Sequence, residues 1–147
     1  TQISGRFQYL QNSPDIILDV AHNEDAARGL FTNIKDKGYR EINVVLGILN
    51  DKDVYSIVQP FSSIVNNWFI GTINSERGIN AEEIEYRIKS MFKNNFNIKT
   101  YNSVSSAFIS AKKKQKLNSL LLAYGSFYTV SDYLSYHQSL NNNQVAQ

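Results

Sequence analysis

The feature that most constrains the fold is a regular alternation of short apolar runs with segments of helical period. Five apolar runs, several rich in β-branched or aromatic residues and poor in charge, are typical of strands buried on both faces of a sheet. They are Ile16–Val20, Ile42–Ile48, Trp68–Ile73, Phe96–Tyr101 and Leu120–Tyr124. The short run Arg6–Leu10 precedes a turn-like segment, 11–14, and is expected to fold back as an antiparallel neighbour of the first of these strands.

Amphipathic helices are predicted between and after these runs, because apolar residues recur there with the period of a helix. Their apolar faces are Ala27, Leu30, Phe31 and Ile34; Val54, Ile57, Val58 and Phe61; Val104, Ala107, Phe108 and Ala111; and Val130, Tyr133, Leu134 and His137. Between the third and fourth runs, Asn80 with Glu83 resembles a capping box at the start of a helix. Five strand–helix units in a row predict an α/β fold. We expect an open, mostly parallel, Rossmann-like sheet of about six strands, one of them antiparallel, with helices on both faces.

The length of 147 residues fits one domain, which we place at residues 1–138, followed by a polar flexible tail at 139–147. The formal net charge of +2 gives no reason to expect a nucleic acid or a membrane surface as partner. The chain has no cysteine, no apolar run of about 18 residues and no signal peptide at its start. These features predict a cytoplasmic protein without disulfides or thiolate metal sites.

Polar and small residues concentrate at the carboxyl ends of the predicted strands, where open α/β sheets bind their ligands. Asp19 ends the first run, and its carboxylate could accept hydrogen bonds from a ribose or cap the turn that follows. His22 lies in the turn before a helix, either as a surface histidine or as a donor to an anionic group. Ser126 follows Gly125 and opens a helix, where it could bind a carboxylate or serve only as the N-cap.

Several nucleotide and catalytic motifs are absent from the sequence. There is no Gly-x-x-x-x-Gly-Lys-Ser/Thr phosphate loop, no Gly-x-Gly-x-x-Gly fingerprint, no nucleophile elbow and no metal-ligand spacing, so no metal site is expected. The segment 14–20 is similar to the phosphorylated strand of response-regulator receivers, but the last strand ends without the lysine that receivers need. His137 is interpreted as structural, and Lys112–Lys116 as a solvated helix end.

Four segments together resemble one family in order and spacing. They are Gly5–Gln8, Ile17–Asn23 followed by Ala26 and Ala27, Gly47–Asp53, and Gly125–Val130. These segments are similar to the C-terminal domain of bacterial dihydrofolate synthase/folylpolyglutamate synthase, a relative of the Mur ligases. The resemblance covers nearly the whole chain, and the Asp51-Lys52-Asp53 and Gly-Ser-Phe-Tyr segments favour the folate branch.

The resemblance implies an ATP-dependent ligase that adds L-glutamate to dihydropteroate or to a folate through an acyl phosphate. It implies that Arg6 contacts ATP, that Asp19 holds its ribose and that His22 is catalytic, near the phosphate and the incoming glutamate. Ser126 would help to bind the glutamate. Lys52 and Asp53 match the family motif without an assigned role.

In this family the phosphate loop and the Mg²⁺ ligands lie in an N-terminal ATPase domain, which this sequence lacks. We therefore expect ATP and Mg²⁺ to be held mainly by that missing domain, and the chain alone to be inactive. The implied partners are that domain, L-glutamate and a pteroate or folate substrate, within a monomeric enzyme. Two alternatives remain: a stand-alone α/β binding domain, and the C-terminal domain of another Mur-type amino-acid ligase.

Overall fold

The computed structural model describes residues 7–126, 128–131, 134, 135 and 138. The strands are β1 (Gln8–Gln11), β2 (Asp15–Leu18), β3 (Glu41–Leu46), β4 (Asn67–Gly71), β5 (Ile98–Tyr101) and β6 (Ser119–Tyr124). The helices are α1 (Glu24–Ile34), α2 (Val54–Val58), α3 (Ala81–Met91) and α4 (Val104–Lys113). A 3₁₀ turn, Gln59–Phe61, extends α2, and residues 128–131 are helical.

The six described strands form one sheet in the order β1-β2-β6-β3-β4-β5. β1 pairs antiparallel with β2, and every other neighbouring pair is parallel. This confirms the predicted open, mostly parallel sheet. The last strand inserts between β2 and β3, so the carboxyl ends of β2, β6 and β3 lie side by side.

Both faces of the sheet are covered by apolar packing. Ile17 and Val44 face the layer that contains α1, α2 and α3. Their neighbours Ile16 and Val45 point to the opposite face, where α4 packs, because successive residues of a strand alternate between faces. The predicted helices on both faces are confirmed.

The helix starts follow from short polar side chains at the N-cap positions. Asn23 caps α1 by accepting from the backbone N–H of Ala26, and Asp53 caps α2 in the same way. Asn80 caps α3 as predicted, but the reciprocal half of the capping box is not formed. The Glu83 carboxylate instead accepts from the side chain of Arg87 at 2.9 Å.

Some predicted bounds are wrong for identifiable reasons. β2 ends at Leu18 rather than Val20, because the next residue already belongs to the turn. The fourth apolar run forms a strand only from Ile98, and β5 is half-exposed, because it is an edge strand with one neighbour. In the last predicted helix, Tyr133 and His137 lie outside the described residues, as does the predicted tail.

Tyr124 ends β6 inside the core and shows how a polar group is accommodated there. Its hydroxyl donates to the carbonyl of Ile57 at 2.8 Å, and burial raises the pKa of this hydroxyl. The ring packs against Phe61 with a centroid separation of 5.0 Å. In the part of the chain that the structure describes, no helix is long and apolar enough to cross a bilayer.

Candidate functional site

Three turns at the carboxyl edge of the sheet are tied to one another. The N–H of Gly125, after β6, donates to the carbonyl of Ala21, after β2, at 2.9 Å. The carbonyl of Gly47, after β3, accepts from the buried hydroxyl of Thr129 at 3.0 Å. Gly125 also packs so closely on Gly47 that a Cβ atom on Gly125 would lie 2.5 Å from the Gly47 oxygen. The turns after β2, β6 and β3 therefore form one connected unit.

A cleft of about 530 Å³ opens beside the turn after β2 and runs along α1 as far as Asn33. Asp19, His22 and Asn23 line it on the side of the turn, and Asp25 and Ala26 line it on the side of the helix. A helix start favours anions, although an acidic first turn weakens that preference. The structure thus brings Asp19 and His22 to one common space.

Asp19 follows β2 directly, and its carboxylate holds the turn together. One carboxylate oxygen accepts from the backbone N–H of Phe7 and the other from that of Ala21, both at 2.8 Å. This is the capping role that the sequence left open beside ribose binding. Because a carboxylate oxygen can accept more than one hydrogen bond, the capping role does not replace the ribose contact, which stays a prediction.

We expect Asp19→Ala to lower the free energy of unfolding of the chain by about 1–3 kcal/mol, because two backbone N–H groups lose a charged acceptor. Urea unfolding followed by circular dichroism measures this difference. Asp25→Ala is the matched control: it removes a carboxylate from the same cleft, which should cost no more than about 1 kcal/mol. Equal losses for the two variants would contradict the capping role of Asp19.

His22 has an exposed ring that the backbone orients. Its Nδ1 lies 3.0 Å from the carbonyl oxygen of Val20. A carbonyl oxygen can only accept, so Nδ1 carries a hydrogen and donates it. In the neutral ring Nε2 then holds the lone pair, which can accept a proton or a hydrogen bond. The ring is therefore held in one tautomer, and its catalytic role stays a prediction.

Ser126 is 1% exposed, and its hydroxyl caps the last helical segment. Its Oγ accepts from the backbone N–H of Thr129 at 3.0 Å and lies 3.1 Å from the Thr129 hydroxyl oxygen. This is the N-cap arrangement that the sequence allowed as the alternative to carboxylate binding. Ser126 is not one of the described residues that line the cleft. Its contact with glutamate stays a prediction.

A charged cluster follows β3 on the same edge. Asp51 accepts from the Arg77 side chain at 3.0 Å, and the Lys52 Nζ lies 3.9 Å from the same carboxylate oxygen. Desolvation raises the pKa of the Asp51 carboxyl, but the charges of Lys52 and Arg77 outweigh it and leave this pKa below its ordinary value. Two cations share one carboxylate, so the cluster carries net positive charge.

The remaining site predictions have different outcomes. Arg6, predicted to contact ATP, lies outside the described residues. Asp53 proves to be the N-cap of α2. Sequence reasoning missed Thr129 and Arg77. The sequence signal for Thr129 is its position three residues after Ser126, which is the spacing of an N-cap contact. Arg77 lies 26 residues from its partner Asp51, so no local pattern indicates this ion pair. Within the described ranges, no group of three or more His, Cys, Asp or Glu residues could hold a metal ion.

Comparison with known proteins places these features in a family. Residues 5–127 match the family model described as Mur ligase, glutamate ligase domain. The chain is 38% identical over 135 residues to the dihydrofolate synthase/folylpolyglutamate synthase of Buchnera aphidicola subsp. Schizaphis graminum, an alignment that covers 91% of this chain and 31% of that enzyme.

Solved structures give the same result. A structure of E. coli FolC in complex with DHPP and ADP superposes with a TM-score of 0.86 and 30% identity, covering 95% of this chain and 32% of that one. A bifunctional folylpolyglutamate synthase/dihydrofolate synthase with Mn, AMPPNP and L-glutamate bound gives a TM-score of 0.81 and 27% identity, covering 93% and 32%. The chain thus spans about a third of the length of the relatives that it matches.

Proposed function

Because the chain belongs to the glutamate ligase domain family of the Mur ligases, we propose that it is the C-terminal domain of a dihydrofolate synthase/folylpolyglutamate synthase. The observation that carries the proposal is the likeness to such enzymes in sequence and fold over nearly the whole chain. The predicted domain bounds, residues 1–138 with a tail at 139–147, belong to this proposal.

The reaction proposed for the whole enzyme joins L-glutamate to the carboxylate of dihydropteroate or of a folate. ATP supplies the phosphoryl group that activates this carboxylate as an acyl phosphate, and the glutamate amine then displaces phosphate. An acyl phosphate hydrolyses readily, so the site must exclude water while it orients a weak nucleophile. A domain that closes over the site meets both needs. Related enzymes have been solved with DHPP and ADP and with Mn, AMPPNP and L-glutamate, which supports these substrates and the use of a metal ion.

The cleft beside α1 is the proposed place of this chain's contacts with ATP. Asp19 would accept hydrogen bonds from the ribose hydroxyls, and its position at the end of a buried strand supports this role. His22 lines the same cleft near the start of the helix, where a phosphate is favoured. Arg6 is proposed as a further ATP contact. Mg²⁺ would be held mainly by the N-terminal ATPase domain of the whole enzyme.

His22 is the proposed catalytic residue of this chain. Glutamate arrives as an ammonium ion, and its nitrogen must lose a proton before it can attack. The hydrogen on Nδ1 is directed to the Val20 carbonyl, which leaves Nε2 of the neutral ring as the proton acceptor. What supports the proposal is this fixed tautomer in a residue that lines the cleft. Ser126, in the adjoining turn, is the proposed glutamate contact. The monomeric state and the cytoplasmic location stay predictions.

The proposal is tested with the full-length protein that carries this chain. We expect phosphate release from ATP that requires both L-glutamate and dihydropteroate or tetrahydrofolate, and no release by the 147-residue chain alone. Release with a UDP-linked cell-wall precursor in place of the folate would favour another Mur-type ligase. Absence of glutamate-dependent release with every acceptor would favour a stand-alone binding domain.

A further inference from the structure

Four asparagines among the described residues are followed by a serine, and such pairs are chemically labile. They are Asn12, Asn74, Asn102 and Asn118. Asparagine is one of the thermolabile residues of proteins, because the backbone nitrogen of the next residue can attack its side-chain carbonyl carbon and displace ammonia. A glycine or a serine at that next position favours the attack. The sequence has no Asn-Gly pair, so the four Asn-Ser pairs are the first candidates for this reaction.

In three of the four pairs the attacking N–H is already engaged. The N–H of Ser13 donates to the carboxylate of Asp15 at 3.2 Å. The N–H of Ser75 donates to the carbonyl two residues before it at 2.9 Å, and that of Ser119 to the carbonyl three residues before it at 3.2 Å. The reaction at these pairs therefore requires local opening of a hydrogen bond first.

The pair Asn102-Ser103, in the bend between β5 and α4, lacks this protection. Among the described residues, the N–H of Ser103 has no hydrogen-bond acceptor and the side chain of Asn102 has no hydrogen bond. Asn102 is exposed, and Ser103 is half-buried. Neither reacting group must break a hydrogen bond to the described protein before the new bond can form.

We propose that Asn102 is a modification site of this chain, where spontaneous deamidation runs faster than at the other three Asn-Ser pairs. The Ser103 nitrogen gives its proton to solvent base and bonds to the Asn102 side-chain carbonyl carbon. The side-chain amide nitrogen takes up a proton and leaves as ammonia. Water then opens the five-membered imide at either of its two carbonyls, which gives aspartate or isoaspartate. Water is the only co-reactant.

The two products act differently on the start of α4. Ser103 is the N-cap of this helix, and its Oγ accepts from the N–H of Ser106 at 3.0 Å. Its backbone packs tightly, since a Cβ atom on Gly71 would lie 2.6 Å from the Ser103 carbonyl oxygen. Aspartate keeps the backbone and adds a negative charge before the helix start, which is favourable there. Isoaspartate lengthens the backbone by one methylene and should displace the cap.

The test follows deamidation of the full-length protein that carries this chain, incubated at mildly alkaline pH and analysed by mass spectrometry of its proteolytic peptides. We expect the folded protein to react at Asn102 more than about tenfold faster than at the other three asparagines, because those react only from opened states. Asn102→Gln should remove the main acidic form on ion exchange, since a glutamine at this position would have to form a six-membered ring.

The same protein unfolded in guanidinium chloride is the matched control. Its four Asn-Ser pairs should react within about threefold of one another, because the hydrogen bonds that distinguish them are lost. A folded-state rate at Asn102 no higher than at the other three would overturn the inference. An equal lead of Asn102 in the unfolded protein would also overturn it, because the local sequence would then set the rate. Neither outcome depends on ligase activity, so the proposed function is tested separately.

Discussion

Gly125→Ala is expected to lower the free energy of unfolding of the chain by about 3–5 kcal/mol, combining backbone strain with a clash. Gly125 has a φ of +118°, a conformation that side-chain-bearing residues rarely adopt. A Cβ atom would lie 2.5 Å from the Gly47 carbonyl oxygen and 2.7 Å from a methyl group of Leu46. The strand ends meet at this point, so neither neighbour can move without opening the sheet edge.

The matched control for this prediction is Gly29→Ala. Gly29 lies in the middle of α1, and a Cβ atom there would meet nothing within 4 Å. Alanine should therefore raise the stability by about 1 kcal/mol through its helix propensity. Urea unfolding at 25 °C, followed by circular dichroism, gives both values. A loss below about 1 kcal/mol for Gly125→Ala would contradict the close packing of the three turns.

The sequence predicts the layers of the fold well because they depend on local patterns. A mostly apolar run such as Ile42–Ile48, in which Asn43 is the one polar side chain, is typical of a central parallel strand, and β3 lies at the middle of the sheet. The order of the strands in the sheet, by contrast, is not predictable from local patterns. Insertion of β6 between β2 and β3 depends on pairs such as Ile17 with Leu122, which are distant in sequence and have no local signature. The burial of an edge strand such as β5 is also misjudged from sequence, because it depends on how many strands pair with it.

The candidate site is predictable to a similar depth. The rule that ligands bind at the carboxyl ends of strands predicts that Asp19 and His22 share one edge of the sheet, and in the structure both line one cleft. The hydrogen-bond partners of each side chain are not predictable from local sequence. The proton of Ser126 is committed to Thr129 only because Thr129 is itself committed to Gly47. Linked hydrogen bonds of this kind can be identified only from the three-dimensional structure.

Ser126 illustrates this limit. A hydroxyl next to a helix start could bind a carboxylate or cap the helix, and the sequence alone allows both roles. The structure shows the cap, because Ser126 Oγ accepts from the backbone N–H of Thr129. The contact of Ser126 with glutamate stays a prediction.

His22→Ala is expected to lower the kcat of the full-length protein by about 10²–10⁴-fold, the usual contribution of a positioned acid or base, while the Kd for ATP changes by less than about threefold. The reason is that Nε2, left with its lone pair by the bond between Nδ1 and the Val20 carbonyl, is the proposed acceptor of the glutamate proton. The ring itself is exposed, so its removal should not unfold the domain. Glutamate-dependent phosphate release gives kcat, and calorimetric titration gives the ATP affinity.

Two controls make this prediction specific to the imidazole. Asp25→Asn changes an exposed side chain that lines the same cleft and should keep kcat within about threefold of wild type, since no proton transfer is assigned to it. In His22→Ala, added imidazole should restore part of the lost turnover, because a free base can occupy the space of the missing ring. Equal losses in kcat and in ATP affinity would assign His22 to nucleotide binding alone, and the proton would then need another acceptor.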